Sequence, residues 1–232
     1  MFSGIVEEVG VIKSFNRSAT DAARIIIDAR IVLTDTQVGG SIAVDGVCQT
    51  VVAIEKETLT IDSVGATLHK TTLGSFSAGR RVNLERPIAY GNRVDGHLVQ
   101  GHVNDTGTIS RRERIGAAYW LEIRLPRPLL PYVVLEGSIA IDGVSLTVAS
   151  LQDDCVGFSI IPHTARETAL MDRHAGHSVN VEVDMIAKYV ERLASPQEIT
   201  RIEDTENHVN DGNDPVSLAL SLIHISEPTR PY

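Results

Sequence analysis

Cysteine is scarce. Cys48 and Cys155 are the only two in the chain, too few for a disulfide framework or a four-ligand structural zinc site. Aromatic residues make up 4 %, which argues against a stacking platform for single-stranded nucleic acid. Positive charge is also short: 21 Lys and Arg against 30 Asp and Glu leave a formal net charge of −9. Such a chain is a poor coat for nucleic acid or for an anionic membrane surface. No uncharged stretch approaches the ~20 residues that span a bilayer. Glu7 and Glu8 stand where a signal peptide would carry positive charge. The phosphate signatures GxGxxG and GxxxxGKS/T are missing, as is the GxSxG nucleophile elbow. A cytoplasmic, reducing location is expected, with neither nucleic acid nor membrane as a partner.

What the chain does have is a repeat of itself. Residues 40–51 read GSIAVDGVCQTV and residues 137–148 read GSIAIDGVSLTV, with nine of twelve positions identical at an offset of 97. The same offset aligns Gly4, Val6 and Gly10 with Gly101, Val103 and Gly107. It also aligns Gly79, Val82, Asn83 and Glu85 with Gly176, Val179, Asn180 and Glu182. Two copies are too few for a solenoid, so two similar domains joined near residues 88–97 are expected. Within each copy, period-two segments such as RRVNLERP and HSVNVEVD alternate with Asp45-Gly46 and Asp142-Gly143 turn signals. Short strands at close spacing, rich in Val, Ile and Thr, predict an all-β pair of small antiparallel barrels. Short helices are expected at Pro131 to Leu135 and Thr164 to Asp172. A longer one is expected over 184–194, capped by Asp184, with Met185, Ile186, Tyr189, Val190 and Leu193 along one stripe. The expected divisions are 1–97, 98–183, the helix at 184–194, and a disordered or non-native tail over 195–232. The ending SLALSLIHISEPTRPY has no counterpart in the first copy and reads as vector or adapter read-through.

Two barrels imply two related ligand sites. The repeat places Cys48 in one copy at the position of Ser145 in the other, so the scaffolds match while the chemistry differs. Most unpaired cysteines are simply buried small hydrophobes, and that alternative stays open for Cys48. His97 and His102 in GHLVQGH lie five apart, on opposite sides of a strand, which disfavours a shared metal. One histidine near the domain seam suits general acid or base work, with a structural histidine as the competing reading. Asp184 reads as an N-cap first.

Taken in order, MFSGIVEEVG, GSIAVDGVCQTVV, GHLVQGHV, GSIAIDGVSLTV and VNVEVD resemble the alpha-type riboflavin synthase family over residues 1 to about 194. The resemblance implies two six-stranded Greek-key barrels, a C-terminal helix and a homotrimer assembled through that helix. It implies a dismutation of two 6,7-dimethyl-8-ribityllumazine molecules to riboflavin and 5-amino-6-(D-ribitylamino)uracil, without cofactor or metal. It places the Phe2-to-Val6 segment with Cys48 in the first site, where the backbone of Gly4, Ile5 and Val6 meets the pteridine edge. Gln49, Thr50 and the run Asp62, Ser63, Val64, Gly65, Ala66 and Thr67 would complete that pocket. The second pocket would comprise Gly101, His102 and Val103, then Ser145, Leu146 and Thr147. Ser159, Ile160, Ile161, Pro162, His163 and Thr164 would close it. Cys48, His102, Ser145 and Asp184 are the implied rate-determining side chains, with His102 as proton shuttle. The chain departs from the family pattern on the ligand side. Glu136 stands where members carry a Lys that reaches a neighbour's ligand, Ala66 replaces a Glu, Gln49 replaces an apolar residue, and Asn104-Asp105 replaces Asp-Gly. The alternative is a non-catalytic lumazine- or flavin-binding protein on the same scaffold.

Overall fold

The computed structural model describes residues 1–194, and the tail expected over 195–232 lies outside the described residues. The first copy folds as a closed antiparallel barrel of six strands. They are β1 (Glu8–Arg17), β2 (Ala22–Asp28), β3 (Ser41–Val44), β4 (Val47–Glu55), β5 (Thr58–Val64) and β6 (Arg81–Glu85), ordered β1-β2-β5-β4-β3-β6. The sequence AARIIID in β2 shows why: Ala23, Ile25 and Ile27 alternate inward and are fully buried, while Arg24 points out. Ile42, Leu59, Ile61 and Leu84 fill the same core.

The second copy repeats this plan with one difference. Its strands are β7 (Asp105–Ile115), β8 (Ala118–Arg124), β9 (Ser138–Ile141), β10 (Val144–Thr147), β11 (Ser150–Gln152), β12 (Cys155–Ile160) and β13 (Ser178–Val183). They form a curled sheet of seven, not six, with β10 and β11 at its two edges. These edges are the two halves of the strand equivalent to β4. In the first copy the register slips between Val51 and Ala53, a bulge. At the matching place, Val148–Ala149, the strand of the second copy is interrupted, although the Val148 N–H still donates to the Gly137 carbonyl at 2.9 Å and the Ala149 N–H to the Gly157 carbonyl at 2.8 Å. The bulge bends a long strand around the barrel corner, and here the bend divides the strand in two.

Helical pieces also shift from expectation. The helix expected at Pro131 to Leu135 is a 3-10 turn over Arg127–Tyr132. Val133 is already extended, as a β-branched pair after a proline favours. The stretch Thr164 to Asp172 is not one helix but two pieces, α2 (Pro162–Glu167) and a 3-10 turn (Ala169–Asp172). Thr168 divides them: its backbone is extended and its hydroxyl accepts the Leu170 N–H. Thr71 does the same between α1 (Gly65–Lys70) and the turn Thr72–Ser75. The last helix, α3 (Met185–Ala194), matches expectation, and Asp184 Oδ1 accepts the Ile186 N–H at 2.9 Å. Among the described residues no helix is long and apolar enough to cross a membrane.

The copies meet back to back at their Asp-Gly turns. Asp45 (φ 44°) and Gly46 (φ 76°) form a left-handed two-residue hairpin turn, as do Asp142 (φ 43°) and Gly143 (φ 78°). The turns touch: a Cβ on Gly46 would lie 2.6 Å from the Gly143 nitrogen. Asn83 donates to the Asp142 carbonyl and Asn180 to the Asp45 carbonyl, each at 2.8 Å. Both Asp carboxylates are fully buried. Arg173 serves both, with Nη2 3.0 Å from Asp45 Oδ2 and Nε 3.4 Å from Asp142 Oδ2. Arg80 adds a second cation to Asp45 at 3.2 Å and stacks on Phe76. Burial and the neighbouring Asp45 charge push the Asp142 carboxyl up to about 7.

Candidate active site

Cys48 and Ser145 open the strands that follow these two turns, so the turns fix where both side chains stand. Each is half-buried, and each packs on a peptide from the other copy. The Ser145 N–H donates to the Gly4 carbonyl at 2.8 Å, and the Cys48 N–H donates to the Gly101 carbonyl at 2.9 Å. Only glycine fits at either position. A Cβ on Gly4 would lie 2.7 Å from Ser145 Cβ, and one on Gly101 would lie 2.6 Å from Cys48 Cβ. Both glycines also sit at positive φ, 76° and 78°. The exchange continues beyond the glycines. Val103 lies in the first barrel's core, and Val6 packs on the second barrel's core. Phe2 and Val99 pair in antiparallel fashion at the crossing, with N–H to O distances of 2.7 and 3.0 Å.

The backbone thus brings Gly4 to Ser145 and Gly101 to Cys48, where the sequence reading groups each glycine with its own copy. The repeat establishes that two segments are equivalent, but not onto which copy each one docks.

The two histidines of GHLVQGH sit differently. His97 Nδ1 lies 2.7 Å from Ser145 Oγ, and the His97 N–H donates to the Ser3 carbonyl at 3.0 Å. Burial lowers the His97 imidazole below its usual value, opposed by the charge of Asp184. His97 is therefore neutral near pH 7 and can accept the Ser145 hydroxyl proton. His102 is exposed, and no hydrogen bond joins its imidazole to Cys48 or Ser145 among the described residues. Among the described residues no imidazole is hydrogen-bonded to the Cys48 thiol. The sequence singles out GHLVQGH and the resemblance points to His102, whereas the contact of His97 with Ser145, 48 residues away, closes only in the fold.

The other expected residues form an outward face on each barrel. Strand alternation puts Thr50 on the side of Cys48, and Thr147 on the side of Ser145. Asp62, Val64 and Ala66 are exposed, while Ser63 is buried behind them and Gly65 and Thr67 are half-buried. Asp62 is held by Arg24 through two bonds of 2.8 and 2.7 Å, which lower its carboxyl below the usual range. Gln49 faces inward and donates to the Cys48 carbonyl at 2.7 Å. In the second barrel Ser159, Ile161, Pro162 and His163 are exposed, with Thr164 half-buried and Leu146 and Ile160 in the core. Glu136 is exposed at φ 64°, where the first copy has Gly39 at 87°. A cleft of about 540 Å³ lined by Ser3, Ile5, Ser41 and Glu85 and one of about 360 Å³ lined by Val6, His163 and Arg166 flank the first segment. Neither contains Cys48 or Ser145, which are half-buried at the crossing.

A family profile described as "Lumazine binding domain" matches the chain twice, over residues 3–87 and 100–184. The riboflavin synthase of Bacillus subtilis (strain 168) is 42 % identical over 193 residues, spanning 83 % of this chain and 89 % of that protein. The chain belongs to the riboflavin synthase family. The riboflavin synthase of Mycobacterium tuberculosis (strain ATCC 25618 / H37Rv) is 45 % identical over 199 residues, covering 83 % of this chain and 98 % of that one. Among solved structures, LumP complexed with 6,7-dimethyl-8-(1'-D-ribityl) lumazine superposes with a TM-score of 0.72 at 26 % identity. LumP complexed with riboflavin gives 0.74 at 27 % identity. Each covers 79 % of this chain and 99 % of the LumP chain.

Proposed function

We propose that the chain converts two molecules of 6,7-dimethyl-8-ribityllumazine into riboflavin and 5-amino-6-(D-ribitylamino)uracil, one molecule giving a four-carbon unit to the other. The reciprocal docking of Gly4 on Ser145 and Gly101 on Cys48 carries this reading. It creates two sites of one shape and unequal chemistry, as a reaction between two identical molecules in unequal roles requires. Atoms balance between two lumazines and the two products, so no oxidant or further reactant enters. Holding the pair in place replaces a bimolecular encounter and lowers the barrier by roughly 7–11 kcal/mol. The His97–Ser145 pair supplies a base, or a polarised hydroxyl, for deprotonating the acidic ring methyl or adding to the ring carbon. Cys48 supplies a softer group at the other ring. Asp184 keeps its place at the head of α3 and biases His97 electrostatically.

Two bound heterocycles meet when the first barrel of one subunit faces the second barrel of another. Assembly as a homotrimer through α3 would provide this. Ile186, Tyr189, Val190 and Leu193 are each more than half exposed on that helix, and Tyr132 anchors its far turn through Glu191 at 2.5 Å. Placing a charge in such an apolar contact costs several kcal/mol. Val190→Asp is therefore expected to shift the solution mass from trimer to monomer in light scattering; an unchanged trimer would move the contact off α3.

Purified protein given the lumazine is expected to release riboflavin at one per two lumazines consumed, followed by absorbance and chromatography. The alternative, a non-catalytic carrier, draws on the LumP complexes with lumazine and riboflavin and on the replacements at Ala66 and Glu136. Identities of 42 and 45 % to riboflavin synthases against 26 and 27 % to LumP favour the enzyme. Tight ligand binding without turnover would establish the carrier instead.

A further inference from the structure

Two buried carboxylates hold the crossing peptides from beneath. Glu85, at the end of β6, is 5 % exposed. Its Oε1 accepts the Ser3 N–H at 2.6 Å and the Ser3 hydroxyl at 2.8 Å, and its Oε2 accepts the Gly4 N–H at 3.1 Å. Glu182, the equivalent residue of β13, is also 5 % exposed and accepts the Gln100 N–H at 2.7 Å. Each carboxylate thus grips the amide side of a peptide whose carbonyl side grips the reactive residue. Glu85 reaches Ser145 through Gly4, and Glu182 reaches Cys48 through Gln100 and Gly101. The positive φ of both glycines makes the direction of those carbonyls depend on how the preceding amides are held.

We propose that Glu85 and Glu182 are positioning residues that act across the duplication: Glu85 of the first copy sets Ser145 of the second, and Glu182 of the second sets Cys48 of the first. Neither touches the heterocycle. The inference rests on the reading of Cys48 and Ser145 as the reactive pair, but its pattern is measurable without turnover. It also explains why an acidic residue stands at the same place in both copies of the repeat. A carboxylate is the one side chain of this size able to accept several N–H donors at once and donate none. Glutamine keeps the shape and turns an amide N–H₂ toward donors, leaving one of them buried and unpaired.

The test uses the full chain with Cys155→Ala, so that Cys48 is the only thiol. Two readouts are taken in parallel: the rate of Cys48 alkylation by iodoacetamide, and the titration of the His97 ring proton by NMR. Glu182→Gln is expected to change the alkylation rate by about tenfold while leaving the His97 titration in place, since one unpaired buried donor displaces a local equilibrium by about that factor. Glu85→Gln is expected to move the His97 titration and leave alkylation within about twofold. Glu85→Asp and Glu182→Asp, which keep the charge and shorten its reach, are expected to give the same crossed pattern more weakly, and they serve if a glutamine variant does not fold. If each carboxylate affects only the reactive residue of its own copy, or both variants affect both residues alike, or neither readout moves, the assignment is overturned. A crossed pattern in a protein that fails to make riboflavin would retain the positioning role and discard the synthase reading.

Discussion

Arg173→Leu is expected to lower the unfolding midpoint by roughly 6–20 °C in a calorimetric scan. Removing one partner of a buried ion pair costs about 3–5 kcal/mol, and each kcal/mol moves the midpoint of a domain this size by about 2–4 °C. Among the described residues Arg173 alone forms ion pairs with both Asp45 and Asp142, which are fully buried. After its loss Arg80 still faces Asp45 at 3.2 Å, but Asp142 loses its nearest counter-charge. Adding Asp142→Asn is expected to restore part of the loss, because the stranded charge is then absent. A midpoint drop under about 2 °C would show that the clamp contributes little.

The same cluster gives the protein a pH signature. The Asp142 carboxyl sits at about 7 in the fold against an ordinary value near 4. Between those values the folded chain holds a proton that the unfolded chain has released. This group's contribution is therefore complete below about pH 4 and is lost as pH rises through about 7. Arg173→Leu pushes the carboxyl higher still and carries that decline further into the alkaline range.

His97→Gln is expected to cut kcat by about 10²–10⁴-fold, the range for losing a positioned base, while lumazine affinity changes little. Glutamine can still hydrogen-bond the Ser145 hydroxyl, so the pocket keeps its shape and only the capacity to take a proton disappears. The pH profile separates this from mere loosening. Burial holds His97 below the ordinary imidazole value near 6.5, so wild-type turnover should persist down to pH 6.5 and fall below it as the ring protonates. The glutamine variant should lack that acid limb. A limb of the same position in the variant would assign it to another group and remove His97 from the chemistry.

Much of the architecture can be read from the residues. The offset of 97 marks the duplication, the Asp-Gly pairs mark the hairpins, and the stripe from Met185 to Leu193 behind Asp184 marks α3. What escapes is whatever depends on contacts between distant segments. A repeat says that Gly4 and Gly101 are equivalent, yet the same repeat is compatible with docking on the home barrel or on its sister. His97 meets Ser145 only across the fold, so spacing offers nothing to weigh it by, and His102 draws attention instead. Arg173 and Arg80 fall outside the repeat: Phe76 and His177 occupy the matching positions. Glu85 and Glu182 did carry a signal, an acidic residue kept in both copies at the end of an inward-alternating strand. Its meaning becomes plain only when the amides of Ser3, Gly4 and Gln100 are found against it.

The traffic of Val6 into one barrel and Val103 into the other has a bearing on ancestry. A lone half would have an open mouth that only a sister half could stopper, so the natural predecessor is a twofold pair of identical short chains. Tying the two end to end made their meeting independent of concentration. It also freed each half to drift separately. Identical chains must carry the same side chain at both mouths, whereas the joined chain carries sulfur at one and oxygen at the other. Division of labour between twins became possible when they came to share a single gene product.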